Sequence, residues 1–125
     1  MTAIWVVKAG NANVLADRLE QKSAVAIGWA EIGDLSALPD RQQVLELVRK
    51  EYPADTPAQQ AMAGGQVYRF VREIRPSDYI LTPIKATRTV LMGKAEGDYV
   101  FDPALFGPEY PHTRKVKWIR SGVAR

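Results

Sequence analysis

Pro76-Ser77-Asp78-Tyr79-Ile80-Leu81-Thr82-Pro83-Ile84 and, four residues on, Thr89-Val90-Leu91-Met92-Gly93-Lys94-Ala95-Glu96-Gly97-Asp98-Tyr99-Val100-Phe101 are rich in β-branched and aromatic residues broken by turn formers. That composition predicts strands at 79–84, 88–95 and 98–102, entered through a turn at Pro76-Ser77-Asp78 and joined around Glu96-Gly97. The links are too short for crossover helices, so neighbouring strands run antiparallel. After a loop at Phe106-Gly107-Pro108, residues 114–120 alternate. Val116 and Trp118 point one way and Lys115, Lys117 and Ile119 the other, which predicts a half-buried edge strand with one basic face.

Towards the N-terminus the period changes. Residues 4–9, Ile-Trp-Val-Val-Lys-Ala, read as a strand buried on both faces and ending at Gly10. Val14, Leu15 and Leu19 recur at helical spacing, so 12–22 is predicted helical with Asn11 as its cap. Residues 24–32 read as a second strand, with Gly28 marking a bulge or a close backbone approach before Trp29. A helix is expected over 41–52, capped by Asp40 and ended by Pro53. Another is expected over 57–74, started by Thr56-Pro57 and kinked or closely packed at Gly64-Gly65. The order β-α-β-α-α-β-β-β-β predicts one α+β domain spanning residues 1–125: a small, mostly antiparallel, barrel-like sheet with about three helices packed outside.

A length of 125 residues suits one domain with a sizeable core. The absence of cysteine excludes disulfides, a thiol nucleophile and Cys-ligated metal, and a single histidine excludes a two-histidine metal site within the chain. No leader-like N-terminus and no long apolar run are evident, so a soluble cytoplasmic protein without membrane contact is expected. The net charge of +3 is uneven. Residues 1–111 carry 12 basic and 14 acidic side chains, whereas 112–125 carry five basic and none acidic. Such a basic cluster is the footprint of a polyanion partner.

Catalytic patterns are missing. There is no phosphate loop, no nucleophile elbow around Ser36 or Ser77, and Glu20-Gln21-Lys22 reads as an ordinary helix face. His112 reads as a surface loop residue beside Arg114. No cofactor and no metal are expected. Among the aromatics, Trp5 and Phe101 read as core. Trp29 differs: it follows a glycine at a strand end and leads into a polar loop with Asp34 and Ser36, where an aromatic ring can stack a ligand.

Several of these stretches carry a resemblance. Trp5-Val6-Val7-Lys8-Ala9-Gly10, Val25-Ala26-Ile27-Gly28-Trp29 with Asp34-Leu35-Ser36, Gly65-Gln66-Val67-Tyr68-Arg69-Phe70, Asp78-Tyr79-Ile80-Leu81-Thr82-Pro83 and Arg114-Lys115-Val116-Lys117-Trp118 resemble, in the same order, the N-terminal domain of Mrr-type restriction endonucleases. That domain is similar to the PUA-like superfamily, near its EVE and YTH branches. The resemblance implies a non-catalytic module of a restriction system that reads modified DNA by taking a flipped base into an aromatic-lined pocket. A separate nuclease domain or subunit would do the cutting. It implies a pocket of Trp29, Asp34, Leu35 and Ser36, bordered by Thr82 on strand 78–84, with Tyr99 and Trp118 as further cage aromatics. Lys85, Arg88, Arg114, Lys115 and Lys117 would then meet phosphates. An RNA-binding module of the same superfamily is the alternative, because charge and stacking serve both polymers.

Overall fold

The computed structural model describes residues 2–37 and 39–124. Its strands are β1 (Ile4–Val6), β2 (Ala24–Ile27), β3 (Tyr79–Ile84), β4 (Thr89–Phe101) and β5 (His112–Ala124), and its α-helices are α1 (Leu19–Lys22), α2 (Arg41–Glu51) and α3 (Pro57–Tyr68). The strands form one sheet in the order β1-β3-β4-β5-β2. All neighbours are antiparallel except β1 and β3, which run parallel. The α+β class and the mostly antiparallel sheet therefore stand as expected. The sheet is open, with β1 and β2 as its edges.

The late strands follow the sequence pattern with one change. Glu96-Gly97 does not turn the chain. β4 runs through it as one strand, and the register against β5 shifts between Ala95 and Tyr99. Such a bulge bends a strand without ending it. β5 is also longer than expected and is an edge only in part. Its first four residues lie between β4 and β2, and beyond Lys115 its strand partner is β4 alone.

The early strand β1 is not buried on both faces. It lies at the sheet edge, and Ile4 and Val6 are 65% and 66% exposed. Trp5 turns inward, and its indole N–H donates to Asp78 Oδ2 at 2.9 Å. Asp78 also accepts from the backbone N–H groups of Ala3 and Arg75, so one buried carboxylate fastens β1 to the start of β3.

The helix expected over 12–22 shrinks to a 3-10 turn at Asn11–Asn13 and the single turn α1. Ala12 and Asn13 have φ of 53° and 63°, which no α-helix accommodates. Asn13 gains a different role there. Its side chain donates to the Pro83 carbonyl and accepts from the Lys85 N–H, tying this segment to the end of β3.

α2 and α3 start at the predicted residues. Asp40 with Gln43, and Thr56 with Gln59, form reciprocal capping boxes, and Pro57 takes the first helical position. Gly64-Gly65 neither kinks nor breaks α3. A Cβ on Gly64 would stand 3.4 Å from Leu45 Cδ1, so the glycine lets α3 pack closely on α2. α3 continues into one π-helical stretch, Arg69–Glu73. These helices cover one core with Val25, Ile80, Ala95, Tyr99 and Val116 of the sheet, whereas Leu15, Leu19, Ala24, Ala26, Leu91 and Phe106 form a second. No helix among the described residues is long and apolar enough to cross a membrane.

Candidate functional site

The loop after β2 holds the most constrained backbone near the predicted site. The strand expected over 24–32 stops at Ile27. Trp29 then adopts φ 57° and ψ 43°, a left-handed conformation, and Ala30–Ile32 forms a 3-10 turn. For a non-glycine residue this conformation costs roughly 1–2 kcal/mol, so it persists because the surroundings hold it.

What holds it is a buried relay reaching across three elements. The Trp29 carbonyl lies 3.0 Å from His112 Nε2, and His112 Nδ1 lies 2.7 Å from the Tyr99 hydroxyl. That hydroxyl accepts in turn from the Leu35 N–H at 3.2 Å. A carbonyl can only accept, so Nε2 carries the proton and donates to Trp29. Nδ1 then accepts from the Tyr99 O–H. Every donor in the chain is matched: Leu35 N–H to Tyr99, Tyr99 O–H to His112, His112 N–H to Trp29. Ring contacts fix the imidazole as well, with Tyr99 stacked and Phe101 edge-on, both at 5.7 Å between centroids. Burial lowers the His112 pKa, opposed in part by the Trp29 carbonyl and by the charge of Asp34, which keeps the ring neutral. Burial likewise pushes the Tyr99 hydroxyl up to about 12, so it stays a donor.

A second tether holds the same loop from the helical side: the Tyr52 hydroxyl, at the end of α2, donates to Glu31 Oε2 at 2.5 Å. Between the tethers, Leu35 is 2% exposed and anchors the loop in the core. Asp34 and Ser36 on either side of it are exposed. Asp34 Oδ1 accepts both the N–H and the hydroxyl of Ser36, which lowers the Asp34 pKa and keeps it a carboxylate. The result is a half-buried indole, packed in part against the core, on the same locked loop as an exposed carboxylate and hydroxyl.

Five of the seven predicted pocket residues thus come together: Trp29, Asp34, Leu35, Ser36 and Tyr99. Their positions are not equivalent. Leu35 and Tyr99 support the loop from within, leaving Trp29, Asp34 and Ser36 towards solvent. Thr82 and Trp118 lie elsewhere. Thr82 is fully buried on β3, and its hydroxyl has no hydrogen-bond partner among the described residues. Trp118 sits over Gly93, with its indole N–H on the Leu19 carbonyl. It is six residues along β5 from His112, about 20 Å at strand rise.

The basic residues also separate. Lys115 and Lys117 are exposed on β5, and Lys85 and Arg88 are exposed at the β3–β4 turn, at the far end of β4 from Trp29. Arg114 is a correction. It is 2% exposed, and its guanidinium donates to the carbonyls of Phe70 in the π-helical stretch and Gly97 in the β4 bulge. It cross-links two irregular backbone segments and is not available to a phosphate. His112 is the second correction, a fully buried hinge pin of the site and not a surface loop residue. Its inward direction was hidden because β5 starts at His112, two residues before the predicted strand. Among the described residues no group of three or more His, Asp or Glu side chains is placed to hold a metal ion.

Fold and site define a small α+β domain with one strained, internally braced loop that presents an aromatic and polar surface. Across residues 5–124 the chain matches the model of a domain of unknown function, DUF8426, and it belongs to that family. Searches of the curated proteins and of the solved structures found no match.

Proposed function

We propose that this chain is the non-catalytic DNA-binding domain of a restriction system, working in the cytoplasm and reading modified DNA by stacking a flipped base on Trp29. The observation that carries the proposal is Trp29 itself: a half-buried indole, packed in part against the core, kept in a left-handed backbone conformation by a buried His112–Tyr99 relay. Trp29 is one of six non-glycine residues with positive φ among the described residues, and strain at a half-buried aromatic with a fully satisfied network behind it is the pattern of a preorganised contact. Asp34 and Ser36 supply an acceptor and a hydroxyl for the edge of the base, and stacking plus edge hydrogen bonds is how extruded bases are read. Lys115 and Lys117 meet phosphates, and the turn residues Lys85 and Arg88 extend the contact on longer duplexes. In this reading the bulged β4–β5 pair is the wall of a PUA-like barrel. Cleavage belongs to a partner nuclease domain or subunit.

The test is a fluorescence-anisotropy screen of matched duplexes carrying unmodified, methylated-cytosine, hydroxymethylated-cytosine or methylated-adenine sites, with an RNA duplex of the same sequence alongside. One modified duplex is expected to bind best, with affinity falling steeply as salt rises. Trp29→Ala is expected to remove roughly 1–3 kcal/mol of that binding, the usual value of one base–aromatic stack. Discrimination among the duplexes should shrink with it. No binding at low salt, or binding that ignores salt, overturns the proposal. A strong RNA preference replaces DNA with RNA as the ligand.

A further inference from the structure

The outer face of the sheet, opposite α2 and α3, is covered by the second core at β2, where Ala24 and Ala26 are buried. Across β1, β3, β4 and β5 it carries side chains that belong to neither core. Two cross-strand rows run over it. One consists of Ile4, Tyr79, Lys94 and Lys117, and the next of Val6, Leu81, Met92 and Arg120. Residues paired in register point to the same face, so each row is a line of neighbouring side chains. The β1 end of both rows is aliphatic, and the β5 end is cationic. Lys94, Lys117 and Arg120 are all exposed. Neither row contains an acidic residue, and among the described residues none of the three cations forms an ion pair. Glu96, one step along β4, is the nearest acid by strand position.

Lys94 and Lys117 stand directly opposite each other across β4 and β5. Like charges in that position destabilise a sheet. Lys94 Nζ lies 5.3 Å from the centre of the Tyr79 ring, on the side away from Lys117. A cationic pair kept in a repulsive register has its repulsion relieved by an anion lying across both strands.

We infer that this outer face is a second nucleic-acid contact, a track for the phosphate backbone in which Lys94 and Arg120 act together with Lys117. The inference rests on the nucleic-acid reading above and adds residues and a direction to it. Lys115 and Lys117 are two residues apart on one strand, about 7 Å, and Lys115 lies about 10 Å along β5 from His112, the residue that bonds to Trp29. Three residues is an odd offset along a strand, so His112 and the Trp29 carbonyl lie on the helix side while Lys115 and Lys117 lie on the outer face. The backbone would therefore run along β5 and over β4 as a contact separate from the Trp29 loop. The one aromatic of the two rows, Tyr79, has its ring against the Lys94 ammonium, and Ile4 and Val6 offer none, so the track reads charge and not sequence.

The test uses the full chain and an unmodified 20-base-pair duplex, with affinity followed over a series of NaCl concentrations. Lys94→Ala and Arg120→Ala are each expected to lower the slope of log K against log salt by about 0.9, while the preference for the modified duplex stays as in the wild type. Lys50→Ala on α2 is the control and should leave the slope alone. Lys117→Glu places opposite charges across the strands. It should raise Tm at low salt, lose that gain at high salt, and weaken duplex binding. Unchanged slopes for both Lys94→Ala and Arg120→Ala overturn this inference. The base-reading proposal survives that result if Trp29→Ala still loses discrimination. Wild-type protein that binds no duplex removes both. Binding to phosphatidylserine vesicles through the same residues, without duplex binding, makes the face a membrane contact and also overturns it.

Discussion

At the residue scale, Trp29 and His112 can be separated by experiment. Trp29 carries a φ that only glycine adopts without strain. Trp29→Gly is therefore expected to be more stable than Trp29→Ala by about 1 kcal/mol, the reverse of the order seen within helices. Urea unfolding of the two variants measures it, and equal stabilities would mean the strain is not stored at this backbone. His112 makes a pH prediction. Burial lowers its pKa below the ordinary 6.5, so the unfolded chain binds a proton more readily than the folded one. The stability this group contributes is fully present above pH 6.5 and is lost as pH falls from there through the folded pKa. An imidazolium would also need to donate through Nδ1, towards a hydroxyl that already donates to it. His112→Phe should cost roughly 1–3 kcal/mol at pH 8 by leaving the Trp29 carbonyl and Tyr99 hydroxyl unmatched, and it should flatten the stability curve below pH 6.5. A slope that persists in His112→Phe would assign the titration to another group.

At the scale of elements, Gly93 decides how β4 and β5 meet. A Cβ there would stand 2.6 Å from Val116 Cγ1 and 2.8 Å from both the Lys117 carbonyl and the Trp118 ring. Gly93→Ala is expected to destabilise by ~1–3 kcal/mol, the usual cost of overpacking, and to shift the near-ultraviolet circular dichroism of Trp118. A wild-type melting curve would mean the strands part easily at this point. These elements also mark what could be read from the chain. Strand type along 79–101 and the caps of α2 and α3 are local properties, carried by β-branched runs and by Asp40, Thr56 and Pro57. The bulge at Glu96-Gly97 was not readable as such, because a glycine after a polar residue serves a turn and a bulge equally well. The N-terminal helix failed for a related reason. Leu15 and Leu19 are fully buried but Val14 is 54% exposed, and the left-handed Ala12 and Asn13 and the clamp from Asn13 to Pro83 and Lys85 depend on a strand seventy residues away.

At the scale of the whole molecule, the site follows the same division. The aromatic and polar rim of Trp29, Asp34 and Ser36 was visible as a local pattern, whereas the relay beneath it joins the loop after β2 to β4 and β5 and has no local signature. Arg114 misled for the opposite reason: a basic residue beside two lysines on one strand points to the other face, and alternation within β5 sends it into the core. Asp78 governs attachment of the edge strand β1 to the sheet. Burial pushes its pKa up, but the donors on Trp5, Arg75 and Ala3 and the charge of Arg75 outweigh that, and the net shift is downward. Its contribution is therefore present above the ordinary carboxylate pKa of about 3.9 and disappears as pH falls through the lower folded value. Asp78→Asn should reduce stability at neutral pH and weaken the acid-induced loss below about pH 4, measured by urea midpoints across that range. An unchanged acid limb would place the loss on other carboxylates.

The sheet order also sets a timetable for synthesis. β1 pairs with β3, and Trp5 waits for a carboxylate 73 residues downstream. β2 waits still longer, for residues 112–115. At about 5–20 residues per second on the ribosome, the interval before Asp78 is made is roughly 4–15 s. The β3–β4 hairpin needs no such delay, since its two strands are made one after the other. β1 is thus made well before the strand that seats it. During that time Ile4, Trp5, Val6 and Val7 travel as an uncovered apolar segment, and the other edge, β2, is seated only when nearly all of this sequence has emerged.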